Sequence, residues 1–149
     1  MITLEDMQVA LAKAHGEKVE VQARLRMAAA ELVKCYRESL GLSGVQGQAV
    51  VCTGTFDGFD FVATPVVAME INGRRTLEFY LSTTLQDRRI SKFVVSVSIS
   101  LREKDEFISV TVENDKVPVL ILKEGVEARF AEVVEVIKAE VLRKIEYLA

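Results

Sequence analysis

Apolar residues recur over the first forty positions with the spacing of a helix. Positions 4, 7, 11, 14, 18, 21, 25, 28, 32 and 35 read Leu, Met, Leu, Ala, Lys, Val, Leu, Ala, Leu and Cys, a three–four rhythm broken only by Lys18. That rhythm lays one stripe along one side of an α-helix. Thr3 with Asp6 three residues later forms an N-terminal capping pattern, Ala28-Ala29-Ala30 is strongly helix-forming, and Gly41 supplies a stop. A strand reading competes locally, because Val19, Val21, Ala23, Leu25 and Met27 alternate with Glu20, Gln22, Arg24 and Arg26. The longer pattern favours a helix, or a helix pair, over about 3–40 with a kink or break near Gly16. A glycine there costs roughly 1 kcal/mol against alanine. Unbroken, the helix would measure roughly 55 Å at 1.5 Å per residue, longer than a sheet of ordinary strands. The excess must then pack on another helix, a second chain or a partner.

After residue 41 the period changes to two. Residues 42–48 hold Gly44 and Gly47 and read as a flexible connection. Strands are expected over 48–56, 59–71, 74–83, 93–101, 107–113 and 117–123, with turns at Asp57-Gly58, Asn72-Gly73 and 114–116. From Glu124 a second helix runs to the C-terminus, its stripe formed by Val126, Phe130, Val134, Ile137, Val141, Ile145 and Leu148, with Glu135 and Glu140 on the wet side. The expected class is α+β: an N-terminal helix or helix pair, an antiparallel meander of about six strands, and a long C-terminal helix packed on one sheet face. Residues 1–149 read as a single domain.

Register assigns side chains to faces. A turn at Glu103-Lys104 would set Val95, Val97 and Ile99 against Val112, Val110 and Ile108, with serines and threonines on the opposite side. An Asn72-Gly73 hairpin would set Phe79 by Val66, Leu77 by Ala68 and Arg75 by Glu70. The first two strands come out apolar on both sides. Their second face gathers Cys52, Phe56, Phe59, Phe61, Val67, Met69 and Tyr80, and monomers seldom leave such a patch open. It is covered by a second subunit or foreign protein, lines a pocket in a curled sheet, or lies under residues 42–48 or the first helix.

Composition narrows the chemistry. Half of the 149 residues are apolar, which excludes a disordered chain. There is one histidine, His15, and the two cysteines, Cys35 and Cys52, show no metal-ligand spacing, so free buried thiols are expected and no metal or cofactor. His15 is read as complementing a helix C-terminus at Gly16. The start Met1-Ile2-Thr3-Leu4-Glu5-Asp6 lacks a signal-peptide pattern, and no uncharged run nears the ~18 residues of a bilayer span. A cytoplasmic protein without membrane attachment is expected.

The net charge of −3 disfavours a general grip on nucleic acid, yet residues 74–104 carry seven bases against three acids. Arg74, Arg75, Arg88, Arg89 and Lys92, with Arg102 and Lys104, form a candidate anion-binding set, though basic hairpin ends explain them equally well. Asp57, Asp60, Glu70 and Glu78 are the candidate carboxylates for acid–base work, and no phosphate-binding glycine loop is present.

The leading expectation is a non-enzymatic protein-interaction module of adaptor, chaperone, immunity or inhibitor type. It would be a homodimer, acting through the second face of strands one to three or through the long N-terminal helix. The alternative is a binder of a small, partly apolar ligand in a curled sheet lined by Phe59, Phe61, Met69 and Tyr80. A small hydrolase or nucleotide-handling enzyme using Asp57, Asp60 or the arginines ranks third.

Overall fold

The structure, a computed structural model, describes residues 1–42, 44–87, 89, 92–113, 117–123 and 128–148, except the side chains of residues 45, 46 and 148. The first helix, α1 (Leu4–Ser39), is continuous. Thr3 Oγ1 accepts the Asp6 amide at 3.2 Å and Asp6 returns Oδ2 to the Thr3 amide at 2.9 Å, so two of the orphan donors at its start are satisfied. Gly16 does not break it, and residues 17–27 are helix. At the far end Gly41 takes φ +74°, and the Gly41 and Leu42 amides close back onto Glu38 and Arg37 carbonyls.

The remaining elements are α2 (Gly44–Val50), β1 (Val51–Asp57), β2 (Asp60–Ala63), a 3₁₀ turn (Val66–Ala68), β3 (Thr76–Leu85), β4 (Phe93–Lys104), β5 (Phe107–Val112), β6 (Val119–Leu122) and α3 (Ala131–Leu148). The expected flexible connection at 42–48 is instead largely the short helix α2. The strands form one six-stranded antiparallel sheet in the order β2-β1-β3-β4-β5-β6, so the α+β class is as read. The connection from β2 to β3 passes over β1.

That crossing corrects one expected hairpin. Residues 64–75 leave the sheet instead of extending the second strand, so Phe79, Leu77 and Arg75 do not pair with Val66, Ala68 and Glu70. Helix side chains take over the hydrogen bonds that a partner strand would have made. Arg26 Nε donates to Met69 O at 2.6 Å, and the Ile71 amide donates to Gln22 Oε1 at 3.0 Å. Val66, Met69 and Ile71 are thereby buried beneath α1.

Two other turns sit further along than expected, by one residue between β1 and β2 and by two between β4 and β5. Phe56 pairs with Phe61 around a Gly58-Phe59 turn, and Ile99 pairs with Val112 around an Asp105-Glu106 turn. Both slips change the register by an even number, so every side chain keeps its face. The inner face carries Val51, Leu77, Phe79, Leu81, Val95, Val97, Ile99, Leu101, Ile108 and Val110, all buried under the C-terminal half of α1 and under α3. The helix α3 buries Phe130, Val133, Val134, Ile137 and Val141. Residues 124–127, where this helix was expected to begin, lie outside the described residues, as does the expected turn at 114–116. Glu140 is 6% exposed, not on the wet side, and accepts from Arg143 at 2.5–2.8 Å.

Candidate interaction surfaces

Residues 4–20 of α1 make no packed contact with the sheet: every one is exposed, and the first buried residue is Val21. This free half is roughly 25 Å long at 1.5 Å per residue. Leu4, Met7 and Leu11 are 70%, 60% and 71% exposed. They occupy the same heptad positions as Val21, Leu25, Ala28 and Leu32, which are buried against the sheet. A heptad stripe drifts only about 20° per repeat on a straight helix, so the exposed stripe is the core-facing stripe continued past the end of the sheet.

The end of the sheet is basic. Arg74 and Arg75 immediately precede β3, Arg102 pairs with its first residue Thr76, and these three with Glu103 and Val21 line a hollow of about 190 Å³. Arg75 stands in the left-handed region at φ +57° and reaches Glu17 at 3.6 Å. Beside the hollow Arg24 grips Glu103 through Nε and Nη2 at 2.8 and 2.9 Å, and Lys123 approaches the same carboxylate at 3.7 Å. Those cations, Arg24's hydrogen bond first, hold the Glu103 carboxyl below its ordinary value of 4.5.

The basic segment of the sequence is therefore divided. Arg89 and Lys92 belong to the connection between β3 and β4 at the opposite end of the sheet, separated from Arg74 and Arg75 by the ten residues of β3, roughly 33 Å. Arg88 lies outside the described residues. Arg102 is the member that joins Arg74 and Arg75, a proximity created by the β3–β4 pairing.

The outer face of the sheet is opposite α1 and α3. Phe56, Phe61 and Tyr80 meet there, with Phe56 edge-on to Phe61 at 5.5 Å and to Tyr80 at 4.7 Å between ring centroids. Gly54 permits the cluster: a Cβ there would collide with the Val62 carbonyl oxygen and lie 2.6 Å from Phe61 Cζ. Cys52 is on the same face, its thiol donating to Gln48 O at 3.1 Å. Phe59 occupies the β1–β2 turn and is fully exposed. Val67 is exposed on the 3₁₀ turn and Met69 is buried under α1, so neither joins the sheet cluster. Ser82, Ser96, Ser98, Ser100 and Thr111 continue the face as a polar strip, with Ser82 and Ser96 hydroxyls 2.7 Å apart.

An apolar cleft of about 420 Å³ opens elsewhere, between the end of α1, α2, β3 and α3. Leu42, Val50, Leu85, Val141 and Ile145 line it, and a Tyr36 hydroxyl–Thr83 hydroxyl bond of 2.8 Å lies at its wall. Burial pushes the Tyr36 phenol up. This cleft is not on the face from which the sequence expected a pocket, and its lining comes from four elements distant in the chain.

The candidate chemical groups are scattered. His15 is exposed in the middle of the free half, not at a helix end. Asp57 and Asp60 pair across the β1–β2 hairpin, Glu78 faces Ser100 on the outer face, and Glu70 is exposed. Cys35 is half-buried, its thiol pushed up by burial and then by Glu31 and Glu38. Among the described residues no three His, Cys, Asp or Glu converge as metal ligands, and no helix is long and apolar enough to cross a membrane. In comparisons with known proteins the chain matches no family model, no curated protein and no solved structure, so its surfaces are read from its own residues.

Proposed function

We propose that the protein is a non-enzymatic interaction module that self-associates through the free half of α1. One observation carries the reading: a core-type stripe of Leu4, Met7 and Leu11 extends beyond the sheet that would bury it. A helix of this length is marginal in water by itself, and apolar side chains at i, i+3 and i+7 gain most from a second helix. Sedimentation equilibrium tests it. A dimer is expected at micromolar concentration, and Leu4→Lys/Leu11→Lys converts it to a folded monomer whose urea midpoint no longer depends on protein concentration. A wild-type chain that stays monomeric at tens of micromolar overturns the reading.

The apolar cleft supports a second reading, a site for a small, mostly apolar molecule. Occupancy of the purified protein in native mass spectrometry, or displacement of a fluorescent fatty acid, is the expected sign. An empty protein with no displacement overturns it.

A further inference from the structure

We propose that two copies pair antiparallel along the free halves of α1, each helix tip seated on the arginine cluster at the base of the other. The inference rests on the self-association proposed above and adds its orientation, register and end contacts.

The stripe sets the side of approach. Because it is the core-facing stripe continued, a helix lying on it meets the end of the sheet as it runs toward the body. Running antiparallel, it can advance until its first turn reaches Val21, where packing against the sheet begins. The free length of 4–20 thus fixes the register, with Leu4 level with the partner's Val21. The next layers place Met7 against the partner's Lys18, and Leu11 against the partner's Ala14. The one polar position of the heptad then lies beside a flexible thioether, where the lysine stem can pack and its ammonium reach water. A large residue faces a small one at the central layers, allowing close approach of the two helices.

Charge selects the same orientation. The tip carries Glu5 and Asp6 in its first turn. Asp6 uses Oδ2 to cap Thr3, and Glu5 is exposed. At the base, Arg24, Lys18, Arg74, Arg75 and Arg102 outweigh Glu17, Glu20 and Glu103. Antiparallel pairing brings the acidic tip to this basic end twice, once at each end of the dimer. Parallel pairing would set both acidic tips together, away from both arginine clusters.

Thiol cross-linking and charge reversal test the geometry on the full chain. In a Cys35→Ala/Cys52→Ala background, a mixture of Met7→Cys and Lys18→Cys chains forms a disulfide-linked dimer under mild oxidation, whereas Met7→Cys alone does not. The reverse pattern, with Met7→Cys linking to itself, overturns the orientation while leaving self-association intact. Arg74→Glu/Arg75→Glu and Glu5→Lys each raise the dimer dissociation constant about tenfold, and combining all three in one chain recovers most of the loss. Arg74→Gln/Arg75→Gln, a smaller perturbation, weakens association in the same direction and keeps the test sound if the reversal disturbs the turn. Dimers indifferent to every one of these charges overturn the tip contact. Absence of a wild-type dimer is a different outcome and removes the underlying reading.

Discussion

The two halves of α1 are built to one pattern and live in opposite surroundings. From Val21 onward the heptad positions hold Val21, Leu25, Ala28 and Leu32, all buried. Before it the same positions hold Leu4, Met7 and Leu11, all open to water. The period of apolar residues dictates a helix and the direction its stripe faces. What covers the stripe is decided elsewhere, by where the sheet stops. In this chain β3 starts only at Thr76, opposite Arg102, and β4 ends two residues later at Lys104, halfway along the helix.

The comparison can be broken by truncating one residue in each half. Leu25→Ala, at 0% exposure, is expected to cost about 2–5 kcal/mol in urea unfolding. Leu11→Ala should change unfolding by less than about 0.5 kcal/mol at dilutions where the protein is monomeric, while weakening association. Equal losses would mean that both halves are packed within one chain.

A second measurement probes the seam between the halves. Glu103 fastens the first packed turn of α1 to β4 through Arg24, so Glu103→Gln is expected to cost about 1–2 kcal/mol. Its carboxyl is held below 4.5 in the folded protein. A lowered folded pKa means that the contribution is full above that ordinary value and drains away as the pH falls through the folded one. Wild-type and Glu103→Gln unfolding midpoints should therefore differ at pH 7 and converge in strong acid. A constant difference across that range would detach the effect from the charge.

Smaller changes concern the free half alone. A Cβ on Gly16 meets nothing within 4 Å, so Gly16→Ala should firm that half by about 1 kcal/mol. Amide exchange ought to slow over 4–20 and stay constant over 21–39. Thr3→Ala removes the cap and should do the reverse by about 0.5 kcal/mol, with fraying confined to the first turns. Protection lost throughout α1 would contradict the independence of the two halves.

Much of this was legible in the chain because period and parity survive errors of pairing. The aromatic cluster shows how. The β1–β2 hairpin keeps Phe56 and Phe61 on one face despite an even-numbered slip, and Tyr80, expected there through a β2–β3 hairpin that does not form, joins them through the β1–β3 pairing. Met69 and Val67 were misplaced for a reason local pattern cannot contain. Their alternation looks like a strand, but Arg26 and Gln22, more than forty positions earlier, supply the hydrogen bonds that make a strand unnecessary. The helix α2 was hidden by Gly44 and Gly47, which read as a linker. Gly44 in fact takes φ +61°, and a Cβ on Gly47 would already touch Leu42 at 3.4 Å. The arginine hollow was half visible. Arg74 and Arg75 stood out by charge, but Arg102 reaches them only through the β3–β4 register.

One detail of the sheet bears on what kind of association the molecule permits. Beyond the Ile99–Val112 pair, β5 parts from β4, which would leave a bare strand margin. Glu113 turns into the left-handed region at φ +60°, its amide donating to Ser98 O and its carboxylate taking the Ser98 amide. Lys144 reaches from α3 to Ser96 O at 2.7 Å while pairing with Glu113 at 2.6 Å. These groups plug the margin at which a foreign strand could otherwise add itself, the usual start of fibrous aggregation. The stretch of β4 beyond β5 therefore offers a foreign strand few unpaired groups, and the two edges of the sheet are β2 and β6.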